Sequence, residues 1–188
     1  MFDFLKKSRN PEEIARKITE EIADSAFKFY RSEKFRSFTD LKNLEKTEQD
    51  RIFNELIANG LAVGILIFGT MAEKTKSERA KIFYHELMIE LSSRYGNWLK
   101  ELETPKHFCD MWKELIQMRV DEYIKDCQEH EKEIGDPFKR NPWVFVVAIG
   151  CHRHIRRGKT KPDELFKPIL HWILDTADII SKIMFKSI

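Results

Sequence analysis

The sequence predicts an all-α protein, a bundle of about six helices with two nearly fully apolar helices, 48–72 and 142–157, at its centre. Only 7 Gly and 6 Pro occur among 188 residues, too few turn formers for a sandwich or barrel of many short strands. Apolar residues recur at intervals of three or four in most segments, and two segments are apolar on every side. We expect a single domain, 1–188, with residues 1–10 as a flexible N-terminal segment.

The first predicted helix begins after Asn10, which is followed by Pro11 and two acidic residues. An N-cap, a proline at the first helical position and acids in the first turn are typical of a helix start. The helix should extend to about Arg31, and we expect 32–46 to be irregular with one turn around 40–45. Its apolar stripe consists of Ile14, Ile18, Ile22, Ala26 and Phe29.

The second predicted helix contains GLAVGILIFGT, residues 60–70, inside an uncharged run from Leu56 to Ala72. This run has the minimum length for crossing a bilayer. Acidic residues on both sides and the lack of a second span argue against a membrane helix, and a capped helical start argues against a strand. A helix buried inside a globular core is the remaining interpretation.

Two details of this second helix make further predictions. Thr47 and Asp50 resemble a capping box, which predicts the start of the helix. Gly60 and Gly64 lie one turn apart, so a neighbouring helix can approach closely, and the equally apolar fifth helix is the expected neighbour.

The third predicted helix begins near Lys76, after a cap formed by Thr75 and Glu78. Gly96 should kink or end it. Its apolar face is marked by Phe83, Leu87, Leu91, Tyr95, Trp98 and Leu102.

The fourth predicted helix opens at Thr104 and Pro105 and has the strongest periodicity in the chain. Gly135, Asp136 and Pro137 should end it. Its stripe consists of Cys109, Trp112, Ile116, Val120, Tyr123, Cys127, His130 and Ile134.

Asn141 and Pro142 start the fifth predicted helix, which is apolar all round until His152. Gly158 and Pro162 separate it from the sixth. The inward stripe of the sixth helix is Phe166, Ile169, Ile173, Ala177, Ile180 and Met184.

Charge and cysteine content restrict the environment and the partners. The net charge is only +2, so no global field favours nucleic acid. Residues 136–188 nevertheless carry 10 basic and 5 acidic side chains, and an anionic partner would meet that end first. Three cysteines, odd in number and far apart, suggest reduced thiols and a cytoplasmic location.

A possible divalent metal site lies on the sixth predicted helix. His171, Asp175 and Asp178 follow i, i+4, i+7 spacing and share one helix face, and Glu86 and Glu90 could complete the ligand set from the third helix. The competing interpretation is a solvated face, because two lysines lie on the same strip.

A second possible metal site combines two Cys-x-x-His spacings, Cys127 with His130 and Cys151 with His154. Two thiolates and two imidazoles are a plausible zinc set. Cys127 and His130 also continue the apolar stripe of the fourth helix, so a place in the core explains them equally.

The end of the fifth helix is strongly basic. Cations there complement the helix dipole, yet their number exceeds what a cap requires. They predict a site for a phosphate, an acidic partner or an anionic surface, although no aromatic stacking platform for nucleic acid accompanies them. The candidate anion-binding residues are Arg153, Arg156, Arg157, Lys159 and Lys161.

Three functional hypotheses follow. The first is a non-catalytic helical interaction domain that binds either another protein or a second copy of itself as a homodimer, with the basic end as an anion contact. For this domain we expect no cofactor and no transmembrane segment. The second is a metal-dependent hydrolase in which an ion held by the sixth helix activates water. The third is a binder of nucleic acid or an anionic surface, recognisable by steep salt dependence.

Overall fold

A computed structural model describes residues 10–101, 103–130, 141–158 and 161–186, and over these residues the protein is an all-α bundle without strands. The predicted fold class is therefore confirmed. The flexible segment expected at residues 1–10 lies almost entirely outside the described residues. The helices are α1 (Pro11–Arg31), α2 (Glu33–Phe38), a 3₁₀ turn (Leu41–Asn43), α3 (Lys46–Lys74), α4 (Glu78–Glu101), α5 (Lys106–Glu129), α6 (Pro142–Ile155) and α7 (Phe166–Lys186).

Helix α3 forms the axis of the bundle. Every residue from Glu55 to Leu66 is buried, a stretch of more than three turns, and helices α1, α4, α5, α6 and α7 all pack against it. By length and composition α3 could cross a membrane, but 78% of its most apolar window is buried inside the protein. Burial on all sides accounts for the missing charges without a bilayer.

Gly60 and Gly64 of α3 lie against helices other than the predicted one. A side chain at Gly60 would meet Ile22 of α1 at 2.5 Å and Trp172 of α7 at 3.5 Å. At Gly64 the nearest atoms belong to Ile180 of α7 and Leu91 of α4. Helix α6 does pack on α3, but the prediction that it approaches at the glycines was wrong.

Helix α6 is the second buried helix, although it is shorter than predicted. It ends at Ile155, and Asn141 precedes it without a side-chain cap bond. Its neighbours are α7, α3 and α5. Its buried residues are Val144, Val146, Val147, Ala148, Gly150, Cys151, His152 and Ile155.

The predicted stripes of the amphipathic helices are largely confirmed. Asn10 caps α1, its Oδ1 accepting from Glu12 N at 3.0 Å, as the sequence indicated. Buried stripe members in α5 are Cys109, Trp112, Ile116, Val120 and Tyr123. In α7 they are Ile169, Ile173, Ala177, Ile180 and Met184. The predicted stripe positions Leu102 and Ile134 lie outside the described residues, as does the helix end predicted at Gly135, Asp136 and Pro137.

Several predicted boundaries were wrong. The stretch 32–46 contains a full short helix, α2, capped by Ser32 and anchored by the buried ring of Phe35. Helix α3 begins one residue before Thr47 and has no side-chain cap bond. At α4 the serine Ser77, rather than Thr75, caps the helix, because its Oγ accepts from Ala80 N.

Gly96 neither ends nor interrupts α4, which continues to Glu101. The glycine allows close contact between helices instead. A side chain there would come within 2.6 Å of the carbonyl oxygen of Cys109 on α5.

Candidate interaction surface

Arg153, the first arginine at the basic end of α6, binds acidic residues of α5. Arg153 Nη2 donates to Asp126 Oδ2 at 2.9 Å and also bonds Glu122. His154 Nε2 lies 2.9 Å from Glu122 Oε2. These groups join the end of α6 to α5.

The remaining arginines of the cluster also have partners within the chain. Arg156 Nε lies 2.8 Å from Asp163 Oδ2 and its Nη2 donates to Phe38 O. Arg157 Nε donates to Glu48 at the start of α3, 3.1 Å away. All three predicted arginines therefore hold the end of α6 against neighbouring elements, and the anion-site hypothesis gains no support from their arrangement. Lys161 is exposed, and Lys159 lies outside the described residues.

The predicted metal ligands of α7 lie on its solvent face. His171, Asp175 and Asp178 are all exposed, and Asp178 pairs with Lys182 at 2.5 Å. Among the described residues no group of three or more His, Cys, Asp and Glu side chains is placed to hold a metal ion. The hydrolase hypothesis therefore has no geometric support here.

The four residues of the alternative zinc set, all of them described, do not come together as a group that could hold a metal ion. Cys151 is fully buried, Cys127 is half-buried and His130 is exposed at the end of α5. Burial raises the pKa of the Cys151 thiol well above its ordinary value. A thiol that stays protonated is a poor ligand and a poor nucleophile.

A polar network that the sequence did not reveal crosses the interior between α3, α5 and α6. Arg119 binds Glu55 with two hydrogen bonds, of 2.6 and 3.1 Å, and both side chains are nearly buried. Arg119 also lies 3.3 Å from Glu122, which connects this pair to the end of α6. Deeper inside, the hydroxyl of Tyr123 donates to Asn59 Oδ1.

The charges of this network neutralise one another. Burial alone would raise the pKa of Glu122, but His154, Arg153 and Arg119 outweigh it and lower that pKa to about 2. Burial raises the pKa of Tyr123 well above its ordinary value, so the phenol remains a hydrogen-bond donor. Because its charged groups pair with one another, the network fixes the register of α3, α5 and α6. It offers no unpaired acid or base for catalysis.

Exposed apolar side chains concentrate on the hairpin of α4 and α5. Six of the ten large hydrophobic residues that are exposed within the described chain belong to these two helices. They are Ile82, Ile89, Phe108, Met111, Met118 and Ile124. Both helices are peripheral, with only a few buried positions each.

Four of these residues define the outer surface of the hairpin. Ile82 and Ile89, 58% and 63% exposed, are seven residues apart and share one side of α4. Met111 and Met118, 54% and 59% exposed, share one side of α5 in the same way. We call Ile82, Ile89, Met111 and Met118 the outer surface.

A groove of about 270 Å³ lies between the two helices, next to the outer surface, but none of the four residues of that surface lines it. Within its lining, Gly96 packs closely against the backbone of Cys109. Ile89 lies one turn before Ser93, and both Met111 and Met118 are within one turn of Glu114 on the opposite wall. The lining residues are Ser93, Gly96, Asn97, Lys100, Cys109, Asp110, Lys113 and Glu114.

The backbone carbonyl of Ile89 is occupied by hydrogen bonds within its own helix. Its carbonyl oxygen accepts the hydroxyls of Ser92 and Ser93, at 2.8 and 3.1 Å. The serines therefore direct their protons into their own helix and present little polarity to the surface.

Comparison with known proteins identifies no relative. No protein-family model, curated protein or solved structure matches the chain.

Proposed function

We propose that this protein is a non-catalytic helical interaction domain whose outer surface binds a second copy of the chain. The observation that carries the proposal is the concentration of exposed apolar side chains on one peripheral hairpin. Exposed apolar patches on otherwise soluble proteins are typical of binding sites. Burial of each such isoleucine or methionine would contribute about 1.5–3 kcal/mol.

The polar residues support binding rather than catalysis. Within the described chain, the arginines and carboxylates of the interior network pair with each other, and the arginines at the end of α6 pair with Glu48, Glu122, Asp126 and Asp163. The three cysteines are not joined in disulfides, which is compatible with the proposed cytoplasmic location.

Sedimentation equilibrium on two matched variants tests the proposal. Ile89→Glu places a charge on the outer surface, whereas Leu174→Glu places one at an exposed aliphatic position of α7. We expect wild-type protein to dimerise and Ile89→Glu to raise the dissociation constant more than about tenfold, because two isoleucine burials are lost per dimer. Leu174→Glu should dimerise like wild type.

A wild-type protein that stays monomeric throughout the micromolar range would overturn self-association. Equal weakening by both variants would show that the outer surface is not the contact. Circular dichroism establishes that both variants keep the helical fold.

A further inference from the structure

Resting on the proposed function, we propose the geometry of the dimer: two copies of α4 pack antiparallel across a twofold axis at Ile89. A twofold axis places equal surfaces against each other, so the residue on the axis meets its own copy. Ile89 is the most exposed apolar residue of the hairpin and lies midway along α4.

The charges at the ends of α4 favour the antiparallel arrangement. Glu78 lies eleven residues before Ile89, and Lys100 lies eleven residues after it. Antiparallel pairing therefore sets each Glu78 opposite Lys100 of the second copy. Parallel pairing would instead set Glu78 against its own copy and Glu86 against its own copy, and like charges in contact are unfavourable. All three side chains are exposed. Within its own chain Glu78 pairs with Lys81 at 2.6 Å and Lys100 lies 3.6 Å from Asp110, so the contacts with the second copy add to surface ion pairs that already exist.

The second helix of the hairpin presents an apolar side chain at nearly the same level. Gly96 lies beside Cys109 across the antiparallel hairpin, so Ile89, two turns back, is level with Ile116 on α5. Met118 is two residues, about 3 Å, from that level. Ile89 and Met118, the two most exposed side chains of the outer surface, are therefore nearly level along the hairpin.

Disulfide cross-linking of Ile89→Cys and Ile82→Cys tests this geometry. Cysteines at position 89 meet across the axis and should link rapidly under mild oxidation. Cysteines at position 82 are about 21 Å apart in the antiparallel dimer, since each lies seven residues from the axis at 1.5 Å per residue. A disulfide requires Cα atoms within about 7 Å, so Ile82→Cys should link no faster than wild type, whose three native cysteines set the background.

The outcomes separate the geometry from the proposed function. Linking of both variants would indicate parallel helices and overturn the inference. If neither variant cross-links while sedimentation still shows a dimer, the contact between the copies lies elsewhere. That result would overturn the inferred geometry but not self-association. A monomer under all conditions would overturn both.

Discussion

At the scale of single residues, the ion pair of Glu55 and Arg119 is the most consequential feature that the sequence concealed. In the sequence Glu55 marks the edge of the uncharged run, and it gives the appearance of an exposed flank. In the fold it is buried, and its partner lies 64 residues away on another helix. The spacing of residues along one helix predicts which of them share a face, but it cannot predict which other helix packs against that face.

Removal of one member of this pair should be strongly destabilising. Arg119→Met leaves the carboxylate of Glu55 buried without an ion-pair partner, which typically costs about 3–5 kcal/mol. Glu55→Gln should cost less, because Arg119 keeps Glu122 as a partner. The double variant should lose less than the sum of the two, since no unpaired charge remains in the Glu55–Arg119 pair. Urea unfolding of wild type, the two single variants and the double variant measures these free energies. If the losses in the two single variants add up to the loss in the double variant, the pairing is contradicted.

A second prediction at this scale concerns Gly150 on α6. A side chain there would overlap the ring of Tyr123. Gly150→Ala should therefore lower the free energy of unfolding by about 1–3 kcal/mol through overpacking.

The matched control is Gly69→Ala on α3, where the nearest atom, Met88 Cε, lies 3.7 Å away. Removal of a helical glycine there should be neutral or stabilise by up to about 1 kcal/mol. Similar urea midpoints for the two variants would show that α5 and α6 are not closely packed at Gly150.

At the scale of elements, apolar periodicity predicts well which residues of a helix are buried, but it predicts poorly where the helix begins and ends. The burial of α3 and the apolar stripe of α5 could both be predicted from the spacing of apolar residues along a helix. The short helix α2 is stabilised mainly by Phe35, which is buried against other elements, so its local sequence carries little signal. The cap predicted at Thr47 failed because the helix already begins at Lys46.

The carboxylates that join the ends of α3 and α5 to α6 predict a loss of stability in acid. Hydrogen bonds from Arg51 and then Arg157 lower the pKa of Glu48 to about 2, and Glu122 also has a pKa of about 2. A carboxyl whose pKa is depressed by folding stabilises the native state above its unfolded value of about 4.5. That contribution is lost as the pH falls from about 4.5 towards 2.

Urea unfolding at pH 7, 5, 4 and 3 measures this dependence. The free energy of unfolding should fall mainly below pH 5, and Glu48→Gln should reduce the slope because one titrating group is removed. An unchanged slope in Glu48→Gln would mean that Glu48 is not paired in the folded protein.

At the scale of the whole molecule, the sequence predicts a bundle around two buried helices but not the surface that the bundle presents. Ile82, Ile89, Met111 and Met118 lie on polar faces of helices whose core stripes are elsewhere, and single exposed apolar residues are ordinary. Only the packing of α4 beside α5 brings them together on one hairpin. The basic end of α6, by contrast, was conspicuous in sequence, and its three arginines prove to be paired with Glu48, Glu122, Asp126 and Asp163.

The most direct test of the central claim is the rate at which peroxide oxidises Met118 in wild-type protein, followed by mass spectrometry. At concentrations where the dimer forms, we expect Met118 to react several times more slowly than in the monomeric Ile89→Glu variant, because the second copy covers it. Equal rates in the two proteins would contradict the claim that the outer surface of α4 and α5 is the site of association.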